Sequence, residues 1–323
     1  MFLDSISLFL QTHPLFFHSF IILFSMLIII KAADIAVFGI SDYAKRFGLS
    51  DYIIGILVVS LASSVPELVS SINGAIMGDG GIIFGTILGS NIVELTIVLG
   101  SVALVGRKLL LECKVLEKTK SDIFILIILP FILIFDGTLS RIDGAILVFA
   151  FIFYVFILWH KEGELGHIKQ EVPIKYLWRD AFLFIGCLAA IMLGSRWLVN
   201  SSVSIANNLG ISSFIVALVV IGIGSSVSDW SIGVRSALQK HQAVGIGNIL
   251  GSNVVKSTLF FGVLALLNPI TFPFSGLWVI IFFTVVATSL TLYFMSRKVM
   301  RRTHGLIMLA IYLAFLAFQW IFR

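Results

Sequence analysis

The chain predicts an all-α integral membrane protein of ten transmembrane helices, arranged as two inverted five-helix repeats. Three observations carry that prediction. Of the 323 residues, 59% are hydrophobic and only 12% charged, with a mean hydropathy of +1.09, whereas about a quarter of a soluble domain is charged. One stretch, Ser60 to Gly100, returns without a gap as Gly222 to Gly262, each residue meeting its partner 162 positions later. Finally, Lys and Arg gather in alternate loops, which orients the spans.

The first half reads as a span over 15–44, a broken pair over 51–64 and 66–77, then spans over 82–105, 121–137 and 141–160. The second half repeats the order: 179–208, a broken pair over 212–225 and 227–239, then 243–266, 273–296 and 304–321. Each run approaches the ~20 apolar residues needed to cross a bilayer core. Accordingly, residues 1–160 form the first repeat and 179–323 the second, joined by a short cytoplasmic linker over 161–178. That linker, part of HKEGELGHIKQEVPIKYLWRD, is too short for a domain, and its mixed charge marks it as solvated. The N-terminal MFLDSISLFLQTHPLFF lacks a basic segment and carries Asp4, so a cleaved signal peptide is not expected.

Lys45 and Arg46, Arg107 to Lys120, Lys161 to Arg179, Lys240 and the run Arg297 to Arg302 all fall on one side. The opposite loops, GDGG, FDGTLSRIDG, ANNLG and NPITFPFSG, hold almost no Lys or Arg. The positive-inside bias places the basic loops in the cytoplasm and both termini outside a cell (inner or plasma) membrane. An odd number of spans per half then inverts the second repeat relative to the first. Roughly a third of residues 48–100 are identical to their partners, which marks one structural unit used twice. The net charge of +5 resides in these loops and does not point to nucleic acid. The two cysteines, Cys113 in a loop and Cys187 in a span, make no disulfide framework.

Within the repeated stretch sit polar groups that a membrane helix tolerates only for a purpose. Ser63, Ser64, Val65, Pro66 and Glu67 return as Ser225, Ser226, Val227, Ser228 and Asp229. Pro66 lacks an N–H and loosens the helix, leaving the Ala62 carbonyl without its usual partner. Hydroxyls, carboxylates and loosened carbonyls are hard oxygen ligands suited to Ca²⁺, Mg²⁺, Na⁺ or H₃O⁺. With no His or Cys in the motif, zinc and copper fit poorly. Glu67 and Asp229, brought together by inversion, would supply enough charge to hold one divalent cation.

The second part of each motif, Gly85-x-x-x-Gly89-Ser90-Asn91 and Gly247-x-x-x-Gly251-Ser252-Asn253, begins 18 residues after the acid. Glycines four apart let another helix approach closely. The span can then press Ser90, Asn91 and Glu94 against the broken helix.

These paired motifs resemble the α-repeats of the cation/calcium exchanger superfamily, in particular its prokaryotic sodium/calcium-exchanger-like branch. In that family the pattern is close to G-T-S-x-P-E followed by G-N-x-x-G-S-N. The resemblance covers the whole chain, with the specific motifs confined to 60–100 and 222–262. It implies that Glu67 and Asp229 bind the transported Ca²⁺ and that Ser63, Ser64, Ser225 and Ser226 are hydroxyl ligands. It also implies that carbonyls near Ser60 and Gly222 complete sodium sites. Ser90 and Ser252 belong to the same expected metal set, with Glu94, Lys256, Asn91 and Asn253 as coupling residues. Alternating access, in which the first and sixth spans slide across a fixed core, is the implied mechanism.

The chain also departs from that pattern. Pro and Glu of the second copy are Ser228 and Asp229, which weakens the expected break and retracts the carboxylate by one methylene. The position three residues after G-S-N, usually Asn or Asp, is Glu94 in one copy and Lys256 in the other. Lys256 can stand in for a transported cation, carry a proton, or form a structural ion pair with Glu94. Elsewhere, Lys31 and Asp34 can pair on one helix face, while Arg196 and Arg235 read as snorkelling span-end residues.

The expected partners are therefore inorganic cations and the lipid bilayer, with no cofactor and no nucleic acid. The function expected is secondary transport of Ca²⁺ or a similar divalent cation, coupled to Na⁺ or H⁺. A proton-coupled or uncoupled carrier and a transport-inactive sensor of the same fold stand as alternatives. No nucleophile–base pair or open metal site for an intramembrane enzyme is present in the sequence.

Overall fold

The computed structural model describes residues 14–47, 50–64, 67–68, 71–72, 75, 80–106, 108–110, 114–163, 182–187, 189–191, 193–194, 196–197, 200–201, 204, 226–239, 241–271, 277–297 and 299–321. They are almost entirely helical. Helix α1, Pro14–Phe47, has 34 residues, about 50 Å at ~1.5 Å per residue, so it outreaches a ~30 Å hydrocarbon core. α2 is assembled from Asp51–Ile53, a π-helical stretch Ile54–Val59, and Ser60–Ser63. α3 joins Gly80–Val93, a second π-helical stretch Glu94–Val98, and Leu99–Val105. After strand β1, Lys108–Leu110, come α4, Lys114–Leu133, strand β2, Thr138–Leu139, and α5, Arg141–Gly163.

In the second half, α6 spans Val227–Leu238. α7 joins Gln242–Val255, a third π-helical stretch Lys256–Phe260, and Phe261–Leu267. β3, Ile270–Thr271, α8, Leu277–Ser296, β4, Val299–Arg301, and α9, Arg302–Ile321, complete the described chain. Five stretches of these helices are long and apolar enough to cross a membrane: Ile83–Val105, Arg141–Lys161, Gln242–Leu267, Trp278–Ser296 and Arg302–Gln319.

The internal correspondence extends to the backbone. All three segments of α3 reappear in α7, each boundary 162 residues on. The two short ladders follow the same relation. β1 pairs antiparallel with β4, Lys108 opposite Arg301, and β2 pairs with β3, Thr138 opposite Thr271. The β1–β4 ladder gathers basic residues at one end of the molecule, where Arg302 also donates to the Leu104 carbonyl at 3.2 Å. At that end Lys161 donates to the Asp122 carboxylate at 2.9 Å. The β2–β3 ladder, which carries no Lys or Arg, lies a helix length away across α4.

Glycines set the closest helix crossings. α5 meets the end of α7 where a Cβ on Gly144 would lie 2.8 Å from the Gly262 carbonyl oxygen. α9 meets the end of α3 in the same way, a Cβ on Gly305 falling 2.6 Å from the Gly100 carbonyl oxygen. Polarity runs opposite to that of a soluble protein. Phe149, Phe153, Phe156 and Trp159 of α5 point outward, and so do Trp278 and Phe282 of α8. Glu67, Glu94, Asp229 and Lys256 are fully buried. An apolar exterior around buried charges is what a bilayer requires of its solute.

Candidate cation-binding site

A helix terminus falls at the same residue of each repeated motif. Ser64 ends α2 with φ −87° and ψ 0°, and Ser226 precedes α6 with φ −80° and ψ 0°. Each carbonyl then starts the next turn, Ser64 accepting from Leu68 N–H at 3.2 Å and Ser226 from Trp230 N–H at 2.9 Å. These helix ends sit two residues before the positions of Pro66 and Ser228. Pro66 itself, the Ser225 hydroxyl, the Gly222 carbonyl and all of 205–225 fall outside the described residues, and with them the weaker break expected in the second copy.

The two motifs bring three acids together. One carboxylate oxygen each from Glu67, Glu94 and Asp229 lies within 4.8 Å of the others, and all three side chains are buried. Glu67 and Asp229 follow the two helix termini, whereas Glu94 opens the π-helical stretch of α3. Three like charges this close repel strongly in a low dielectric, so nearby positive charge or a bound proton must offset them.

Part of that charge is supplied by the chain. Lys256, at the matching start of the π-helical stretch in α7, forms a salt bridge with Glu94 Oε1. Its Nζ also donates to Ser90 Oγ at 3.0 Å. The other Glu94 oxygen, Oε2, accepts from Ser252 Oγ at 2.6 Å and from Asn253 Nδ2 at 2.9 Å. Ser90 and Ser252 thus serve the Glu94–Lys256 pair. Asn91 Nδ2 donates to Ser257 Oγ at 2.9 Å, a further tie between α3 and α7.

Asp229 is held differently. Asn248 of α7 donates through Nδ2 to Asp229 Oδ1 at 2.7 Å and accepts from Ser63 Oγ at 3.2 Å. One carboxamide therefore links the acid of one motif to a hydroxyl of the other. Asn248 stands at the second letter of the family's G-N-x-x-G-S-N pattern, which Gly247-Asn248-x-x-Gly251-Ser252-Asn253 contains in full. Ser60 Oγ turns back to the Ile56 carbonyl, four residues earlier.

Several motif oxygens have no hydrogen-bond partner among the described residues: Asp229 Oδ2, Ser64 Oγ, Asn91 Oδ1 and Asn253 Oδ1. A buried acceptor without a donor costs ~1–3 kcal/mol unless a cation meets it. The donor set is oxygen throughout, which fits a hard cation and gives nothing to a soft metal. Glu94 is already met by three donors, whereas Asp229 keeps Oδ2 without a hydrogen-bond partner among the described residues.

The glycine motif supplies the precision. A Cβ on Gly247 would come within 2.6 Å of the Tyr52 carbonyl oxygen, and one on Gly251 within 2.4 Å of the Ile56 carbonyl oxygen. α7 therefore lies backbone to backbone against the π-helical stretch of α2. Thr96 and Thr258 Oγ1 bond back to the carbonyls of Ile92 and Val254, the same device at matching positions in α3 and α7. π-helical turns recur at functional sites, and here two of them start at the paired charges. Of the outlying charges, Lys31 and Arg196 are exposed on the apolar surface and Arg235 is half-buried; the Asp34 side chain lies outside the described set.

A family model described as "Sodium/calcium exchanger protein" matches residues 17–160 and 180–321. Among known proteins, the inner membrane protein YrbG of Escherichia coli is 29% identical over 261 residues, covering 77% of this chain and 79% of YrbG. The sodium/calcium exchanger MaX1 of Methanosarcina acetivorans is 26% identical over 342 residues, covering 92% of this chain and 96% of MaX1. A solved structure of the sodium-calcium exchanger NCX_Mj, soaked with 2.5 mM Na⁺ and 10 mM Sr²⁺, matches with a TM-score of 0.82 at 24% identity. That match covers 94% of this chain and 99% of the other, and it is a likeness of fold.

Proposed function

The chain belongs to the sodium/calcium exchanger protein family of membrane transporters, and from that premise we propose that it carries Ca²⁺ or a similar divalent cation across a cell membrane in exchange for Na⁺ or H⁺. The observation that carries the proposal is the buried meeting of Glu67, Glu94 and Asp229 within 4.8 Å. In this reading Glu67 and Asp229 hold the ion. Ser63, Ser64, Ser225 and Ser226 and carbonyls near Ser60 and Gly222 complete its shell, while Asn248 orients Asp229.

The architecture proposed is ten helices in two inverted repeats, residues 1–160 and 179–323, with 161–178 as a cytoplasmic linker and both termini outside. Matching segment boundaries in α3 and α7 support it, as do ladders that pair loops of opposite halves. So does the gathering of Lys108, Lys161, Arg301 and Arg302 at one end, the side that the positive-inside rule makes cytoplasmic. Alternating access would expose the midplane site to each side in turn.

Uptake of ⁴⁵Ca²⁺ into proteoliposomes under an imposed Na⁺ or pH gradient tests the proposal. Accumulation under at least one gradient is expected; its absence under both would overturn the proposal in favour of a transport-inactive relative or another cargo. Asn248→Ala should raise the Ca²⁺ concentration for half-maximal uptake about 10–100-fold, the usual effect of losing a group that orients a ligand. Initial rates against Ca²⁺ concentration read this directly, and an unchanged half-saturation would remove Asn248 from the site.

A further inference from the structure

We infer that Lys256 is a built-in cation that sets the exchange at two monovalent charges per divalent cation, making the cycle electroneutral. The inference rests on the function proposed above and concerns what that same site must carry on its return.

Charge is the starting point. Glu67, Glu94 and Asp229 meet as three carboxylates, and the Lys256 ammonium is bonded to one of them, so two net negative charges are left. The surroundings favour these charge states. Glu94 is met by the Lys256 ammonium, by Ser252 Oγ and by Asn253 Nδ2, and an opposite charge with hydrogen bonds to the charged form stabilises a carboxylate.

A buried site crosses between two membrane faces only when its net charge is small, because uncompensated charge in hydrocarbon is costly. One divalent cation brings the cluster to neutrality. Without it, two monovalent cations are needed for the return, whether they are sodium ions or protons. Were Lys256 neutral, the same three carboxylates would need three monovalent cations, and each exchange would move one charge across the membrane. The lysine cannot leave with the cargo, since it is part of α7 and packed at full burial beside Ser90 and Glu94. It therefore stands permanently where a mobile co-ion would otherwise stand.

The test is equilibrium ⁴⁵Ca²⁺ accumulation in proteoliposomes at a fixed gradient of the driving ion, with the potential clamped by K⁺ and valinomycin. Zero and about −60 mV are compared, a step worth about tenfold in concentration for each net charge moved. The native protein is expected to show the same accumulation at both potentials. Lys256→Met should shift it by about tenfold. Glu94→Gln combined with Lys256→Met removes the pair with no change in net charge, so its accumulation should again ignore potential, whatever its rate. This double variant keeps the test decisive if Lys256→Met alone fails to fold.

A potential-dependent native protein, an indifferent Lys256→Met, or a potential-dependent double variant would each overturn the inference while leaving divalent transport intact. Absence of accumulation by the native protein under either gradient would instead overturn the transport reading on which it rests.

Discussion

Glu67→Gln is expected to reduce ⁴⁵Ca²⁺ uptake by at least about 100-fold while leaving the protein folded. Replacing a group that merely orients a metal ligand costs about 10–100-fold in affinity, and Glu67 is proposed to touch the ion itself. Gln keeps the shape of the side chain and removes only its charge, at a place where two other carboxylates lie within 4.8 Å. Removing one of three crowded negative charges relieves repulsion, so the variant should be at least as heat-stable as the parent. Loss of uptake with an unchanged or raised melting temperature in detergent is the expected pair of readings. Uptake within a few-fold of the parent would take Glu67 out of the ion shell.

The second large effect is steric. A side chain at Gly251 has nowhere to go, because its Cβ would meet the Ile56 carbonyl oxygen at 2.4 Å and Ile56 Cα and Ser60 Oγ at 2.7 Å. Two of these three atoms are backbone and cannot rotate away. Gly251→Val is expected to cost about 1–3 kcal/mol of stability, as overpacking does, and to reduce uptake more than about tenfold by pushing α7 off α2. The displaced segment carries both Ser60 and Ser63, and Ser63 would lose its bond to Asn248. Thermal denaturation and initial uptake rates on the same preparation separate the two effects. A variant with native stability and native rates would show that close packing at this crossing is dispensable.

How much of this could be read from residues alone depends on what kind of information each feature needs. Repetition at a fixed interval is a property of the sequence itself, so the correspondence between the two motifs, and between Glu94 and Lys256, was legible before any coordinates. Burial of the acids followed from their placement inside apolar runs. The pairing of Glu94 with Lys256 was one of three roles open to the lysine, and the structure makes the pair from which its role as a built-in cation is inferred.

Other features depend on backbone register. The π-helical stretches at Ile54–Val59, Glu94–Val98 and Lys256–Phe260 arise from hydrogen bonds reaching one residue farther than in an α-helix, and no residue type announces that. The position of the helix ends is similar: proline marks where a helix is weakened, yet α2 ends at Ser64 and α6 begins after Ser226. Asn248 was visible only as one letter of a pattern, since its partners stand 19 and 185 residues away. Ser90 and Ser252 were expected in the ion's shell, and only the geometry shows them hydrogen-bonded to Lys256 and Glu94.

The account stands on an ion sitting between the two motifs, so the most direct measurement locates it. Crystals grown or soaked with Sr²⁺, a divalent cation of strong anomalous scattering, should give a peak in contact with the carboxylates of Glu67 and Asp229, and Glu67→Gln should abolish it. A clean anomalous map with no peak there, or a peak elsewhere in the molecule, would contradict the account.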